Sequence, residues 1–116
     1  MYYSFEDLFV WQEGMKLVVE IYTVLNTCRD YALLNQIHRS AISVPSNIAE
    51  GYERKSNKEF VRYLYISRGS CGELRTQIHL AISLNYINKE TGHELINKTK
   101  MISAMIYNLI KKREEK

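Results

Sequence analysis

Phe60, Leu64, Ser67, Cys71, Leu74, Ile78 and Ala81 follow one another at steps of three and four, a rhythm that an α-helix gathers onto one face. Ser56-Asn57-Lys58-Glu59, just ahead of the run, has the form of a capping box, in which the serine hydroxyl and the glutamate carboxylate satisfy each other's free backbone N–H groups. The helix is therefore predicted to start near Asn57. At about thirty residues it would measure on the order of 45 Å, the spine of whatever the chain folds into.

Such a helix needs partners for its apolar face, and three more stripes supply them. Leu8, Trp11, Met15, Val18, Tyr22 and Leu25 predict a first helix from about Phe5 to Asn26. Leu34, Ile37, Ala41, Val44 and Ile48 predict a second, and Leu95, Ile102, Met105 or Ile106, and Leu109 a last one, ending in an exposed tail from Lys111 to Lys116. Arg29-Asp30-Tyr31 separates the first two helices, and Asn88 is placed to cap the last. Five glycines and one proline are too few to punctuate an all-β fold. The 116 residues suit one domain. Short links between long helices make neighbours antiparallel, so the expected fold is all-α: a single up-down-up-down four-helix bundle spanning residues 1–116.

Pro45 breaks the pattern inside the second helix, where it removes a backbone donor and crowds the preceding turn, at a typical cost of about 3 kcal/mol. Ser43, Ser46 and Asn47 can hydrogen-bond freed backbone groups, which predicts a kink at Pro45 with Val44 and Ile48 still facing inward. Gly51 is expected to be the C-terminal cap. The same helix carries a polar stripe, Gln36, Arg39, Ser43, Asn47 and Glu50, and the third helix another, Arg62, Ser70, Glu73 and Gln77. Antiparallel packing would pair Glu50 with Arg62, Arg39 with Glu73 and Gln36 with Gln77, a network that fixes register more than it adds stability. Arg39→Ala is then expected to destabilise far more than Lys98→Ala.

Gln36-Ile37-His38-Arg39-Ser40-Ala41-Ile42-Ser43-Val44-Pro45-Ser46-Asn47-Ile48-Ala49-Glu50-Gly51 resembles the signature of the four-helix-bundle proteins encoded in intervening sequences of bacterial 23S rRNA genes. The likeness runs nearly end to end, through Phe5 to Trp11-Gln12, Phe60, Arg68-Gly69-Ser70 and Glu73-Leu74; His38 and Gly72 depart from the usual pattern. It implies a bacterial, non-enzymatic bundle, commonly a homopentamer. A related accessory protein of diversity-generating retroelements forms a basic pentameric barrel and works with a reverse transcriptase and nucleic acid. Fold alone does not establish function.

Residues 1–52 carry three Lys/Arg against six Asp/Glu, residues 53–116 thirteen against seven, so the halves differ in sign. A basic half is compatible with an anionic partner and also with a solvated face. For RNA or DNA the candidates are Arg54, Lys55, Lys58 and Arg62 at the start of the third helix, Arg68, Arg75 and His79 along it, and Lys111, Lys112 and Arg113 at the end of the last. Tyr52, Tyr63 and Tyr65 interleave with them and could stack on bases. Nine tyrosines, three phenylalanines and one tryptophan exceed what one slim core hides, which points to a homo-oligomer. The competing reading is a scaffolding oligomer that docks another protein without nucleic acid.

Enzymatic readings find little support. A di-metal bundle needs two Glu-x-x-His motifs, and only Glu90-x-x-His93 occurs. No phosphate-binding loop or nucleophile elbow is present, so no cofactor, metal or catalytic residue is expected. Cys28 and Cys71 read as reduced, buried thiols. With neither a leader segment nor a membrane-spanning stretch, a cytoplasmic protein without membrane association is expected.

Overall fold

The computed structural model describes residues 4–115. A 3-10 turn, Phe5–Asp7, leads into four helices: α1 (Phe9–Val24), α2 (Tyr31–Glu53), α3 (Asn57–Ser83) and α4 (Lys89–Glu114). Three of the four helices, α2, α3 and α4, have their start written in a side chain. Asp30 accepts from the Leu33 N–H, Ser56 from Glu59 and Asn88 from Thr91, each satisfying a donor the first turn leaves free. At α3 the serine half of the capping box forms, while the Glu59 carboxylate turns to Arg62.

Contacts across each seam run in opposite residue order. On α2 and α3, Ser40 meets Glu73, Ser43 meets Ser70 and Glu50 meets Tyr63; on α3 and α4, Arg68 meets Tyr107 and Arg75 meets Thr99. Gly14 lies against Pro45 while Tyr22 stacks on His38, and Lys98 binds Glu20. The four helices thus form an antiparallel, up-down-up-down bundle, 45 × 20 × 20 Å, with a core of Leu, Ile and Val along its axis.

The α3 stripe is buried as read, from Phe60 to Ala81, and so is most of the α2 stripe. The α1 stripe is displaced. Its inward residues are Val10, Gly14, Leu17 and Ile21, whereas Met15 and Tyr22 are exposed and Trp11 and Val18 half-buried. The true stripe contains Gly14, which no hydropathy pattern marks as core. There α2 comes close, and a Cβ on Gly14 would sit 3.5 Å from Pro45 Cβ, in ordinary contact. On α4 the inward set is Leu95, Thr99, Ile102, Ile106 and Ile110, so Ile106 rather than Met105 faces the core and Ile110 replaces Leu109.

α2 runs through Pro45 as one helix, with Pro45 buried and Val44 and Ile48 fully so. Asn47 Nδ2 donates to the Ser43 carbonyl at 2.8 Å, and Ser67 Oγ to the Val44 carbonyl at 2.8 Å. These bonds brace the turn around the proline. They do not reach the Ala41 carbonyl that the proline deprives of its donor, and Ser46 points to solvent.

Gly51 is not a cap. The helix continues to Glu53, and no glycine has a positive φ. A Cβ at Gly51 would lie 2.5 Å from Tyr63 Cβ, so the glycine is required by the close approach of α3. The left-handed residue belongs instead to the α3–α4 turn, at Asn85 (φ 64°).

Candidate nucleic-acid interface

The polar seam between α2 and α3 has the expected register but different partners. Ser40 Oγ donates to Glu73 at 3.0 Å, the Ser43 and Ser70 hydroxyls share a hydrogen bond of 2.8 Å, and Asn47 Nδ2 also reaches Ser43 Oγ at 2.7 Å. Short side chains fit a seam this tight, whereas Arg39 and Gln36 project outward and are exposed. The Arg39–Glu73 and Gln36–Gln77 pairs therefore do not form. Gln77 is buried with its Oε1 lacking a hydrogen-bond partner.

At the seam's end, Tyr63 Oη donates to Glu50 at 2.9 Å and accepts from Arg54 at 2.9 Å, and Arg54 also pairs with Glu50 at 3.2 Å. These contacts, the tyrosine hydroxyl first, hold the Glu50 carboxyl below its ordinary value. Arg62 bonds Glu59 at 3.1 Å instead of Glu50, being on the outer side of α3, and lies over the Tyr63 ring. The Arg39/Lys98 comparison consequently changes: Arg39 is solvent-exposed, while Lys98 binds Glu20 at 2.6 Å across the α1–α4 seam.

The nine basic residues singled out fall into three places. Arg54 and Arg62 are ion-paired, and Lys55 and Lys58 are exposed beside them. Arg113 covers the Phe60 ring at 4.9 Å, its carbonyl accepting from Asn57 Nδ2, and Lys112 is exposed on the same end of the bundle. Arg68, Arg75 and Lys111 lie along the α3–α4 seam.

That seam is built differently from the α2–α3 seam. Arg68 and Lys111 both lie over the Tyr107 ring, at 5.0 and 5.3 Å, and contact with Tyr107 is the main reason the Lys111 ammonium is raised above its ordinary value. Arg75 Nε donates to Thr99 Oγ1 at 3.2 Å, which aligns the guanidinium and leaves its other N–H groups uncommitted. Between them is a cavity of about 370 Å³ lined by Tyr65, Arg68, Gly69, Gly72, Arg75 and Ser103. Beneath it, burial pushes the Cys71 thiol up to about 11, with Arg75 and Arg68 opposing that rise. Sequence reading missed Ser103 and Tyr107; they recur with Lys100 and Lys111 at helical spacing on α4, and that periodicity was the available signal. Tyr52 and Tyr63, read as base-stacking candidates, pack instead against Phe60 and within the Glu50–Arg54 cluster.

Residues 6–108 match the family described as 23S rRNA-intervening sequence protein. The chain belongs to that family. Its fold is also that of a crystallised protein of unknown function from the S23 ribosomal protein family of Bacteroides thetaiotaomicron, with a TM-score of 0.83 at 24% sequence identity, covering 88% of this chain and 98% of that one. No curated protein matches the sequence. In this intervening-sequence family member the signature Gln36 to Gly51 thus lies along α2, where its small residues meet α3 and Pro45 meets α1. Among the described residues no group of three or more His, Cys, Asp or Glu gathers, His93 is exposed, and no helix is long and apolar enough to cross a membrane.

Proposed function

We propose that this member of the 23S rRNA-intervening sequence protein family is a non-enzymatic, cytoplasmic homo-oligomer that associates with RNA or DNA through the basic surface of α3 and α4. One observation carries the reading. Among the described residues Arg68, Arg75 and Lys111 line one seam with no carboxylate within salt-bridge distance, Glu114 acting on Lys111 only from farther off, whereas Arg54 and Arg62 on the same half are both paired. Three cations set in one row suit a polyanion. Lys55, Lys58 and Lys112 would extend the surface towards the end of the bundle, with Arg113 beside them. Self-association, a pentamer by family resemblance, draws support from the exposed Met15, Val19 and Tyr22 of α1 and Ile42 of α2.

Fluorescence anisotropy with labelled RNA and DNA across a salt series tests the binding, and affinity should fall steeply as salt rises. Absence of binding, or binding indifferent to salt, refutes it. A monomer in sedimentation at micromolar concentration refutes the oligomer. The same apolar α1–α2 face favours the second reading, a scaffold docking another protein; co-purification from the native host with and without nuclease separates the two.

A further inference from the structure

The α3–α4 cavity has two properties that internal packing does not explain, and a hydroxyl beside them: Ser103 lines it with its Oγ open to water and making no hydrogen bond within the described residues. Gly69 and Gly72 both lie inside α3, where glycine is less favourable than alanine, and a Cβ on either would meet nothing within 4 Å. Gly51 and Gly92 differ, since a Cβ there would come within 2.5 Å of Tyr63 or 2.4 Å of Ile82. The second property is charge: Arg68 and Arg75, seven residues apart and so about 10 Å along the helix, flank the glycines with donors uncommitted to any carboxylate among the described residues.

We infer, building on the nucleic-acid reading above, that this cavity seats the phosphodiester backbone of single-stranded RNA or DNA. Gly69 and Gly72 leave room for the strand to lie against the α3 backbone, the use to which an otherwise costly helix glycine is well suited. Ser103 Oγ donates to a phosphate oxygen lowered into the cavity, and Arg68 and Arg75 take the phosphates on either side. Tyr65, 46% exposed at the rim, offers a face for base stacking. A single strand fits because the depression lies between two packed helices, whose axes are typically 8–10 Å apart. A duplex is a stiff rod whose phosphates follow a fixed curve, so it conforms to the depression less readily than a single strand does.

The test is anisotropy of labelled oligo-uridine and oligo-thymidine, at low salt and along a salt series, with duplex DNA and poly-glutamate as competitors. Gly72→Leu and Arg75→Ala should each weaken binding about tenfold, the loss of roughly one charge-assisted contact. Arg75→Ala should also reduce the slope of log affinity against log salt by about 0.7. Gly72→Leu should retain the unsubstituted sedimentation coefficient and melt no lower than the unsubstituted protein, and Lys89→Ala should bind normally. The cavity assignment falls if the groove variants bind normally while Lys55→Ala/Lys58→Ala loses binding; the nucleic-acid reading then survives. It falls also if poly-glutamate or duplex competes as well as the single strand, or if Gly72→Leu dissociates the oligomer. No binding by the unsubstituted protein overturns both readings.

Discussion

Substituting alanine at Gly51 and at Gly72 should shift stability in opposite directions. In a helix interior glycine is about 1 kcal/mol less favourable than alanine, so the change is stabilising wherever the new methyl has room. At Gly72 nothing lies within 4 Å of the added Cβ. At Gly51 the methyl would stand 2.5 Å from Tyr63 Cβ and 3.2 Å from Phe60 Cδ1. Tyr63 Cβ is bonded to the α3 backbone and cannot swing aside, so α2 and α3 must part by nearly 1 Å to restore ordinary contact. Overpacking of that kind costs about 1–3 kcal/mol; taking the upper end, since two helices must move, leaves a net loss of about 2 kcal/mol. For a domain of this size 1 kcal/mol corresponds to about 4 °C in melting temperature. Gly51→Ala should therefore melt about 8 °C lower and Gly72→Ala about 4 °C higher, by calorimetry or circular dichroism at one fixed protein concentration. Gly92→Ala should fall between them, because its obstacle is the outer part of the Ile82 side chain. A Gly51→Ala protein that melts at or above the unsubstituted one would show that the glycine is not there for the close approach of α3.

Lys98→Ala should lower stability by a few tenths to about 1 kcal/mol through loss of the Glu20 pair, and Arg39→Ala should be nearly silent; the reverse order in urea melts would contradict the placement of both residues. Asp30, Glu50 and Glu59 are held below their ordinary values, Asp30 first by the Leu33 N–H and then by Tyr86. Their folded-state affinity for protons is below the unfolded one, so their stabilisation is complete above about pH 5 and lost as pH falls through the carboxylate range. Asp30→Asn should flatten part of that acid limb in melting experiments. Burial lowers His38, which is stacked on Tyr22, so the unfolded chain takes up its proton first and stability should begin to drop as pH falls below the ordinary imidazole value. His38→Gln should remove that step from the pH profile. Cys71, fully buried and with its thiol pushed up to about 11, should react with a thiol reagent only at the rate of unfolding.

Helix number and order were legible, and with them the starts of α3 and α4, because Ser56 and Asn88 are local caps beside apolar repeats; the start of α1, read at Phe5, falls at Phe9, and the end of α2, read at Gly51, falls at Glu53. The register of α2 against α3 was legible for a related reason, two polar stripes of matching length. Which side chains join across that seam was not. Hydrogen-bonding capacity favours Arg39 and Gln36 on paper, but the seam is too narrow for long side chains and selects Ser40, Ser43 and Ser70. Glycine carried the least legible information. Its role at Gly14, Gly51 and Gly72 depends on what stands opposite, and no periodicity within one helix can reveal a neighbour.

The two seams of α3 explain why a family signature and a binding surface need not coincide. Towards α2, side chains of one or two heavy atoms beyond Cβ satisfy one another: Ser67 reaches the Val44 carbonyl, Ser43 reaches Ser70, and a glycine lets the backbones close. Substitutions there act through packing and hydrogen bonds inside the fold. Towards α4 the same helix presents long cations braced on Tyr107 and Thr99 and glycines facing open space. A helix spends nothing on solvent by exposing alanine, so glycine on that face favours something outside the fold. Stability measurements should therefore map the first seam and binding measurements the second. Variants of Ser67 and Gly51 should lower the melting temperature with little change in nucleic-acid affinity per folded molecule, and variants of Arg75 and Gly72 should weaken affinity without lowering the melting temperature. A set of variants in which both properties always moved together would remove the reason for placing the interface on the α4 side of α3.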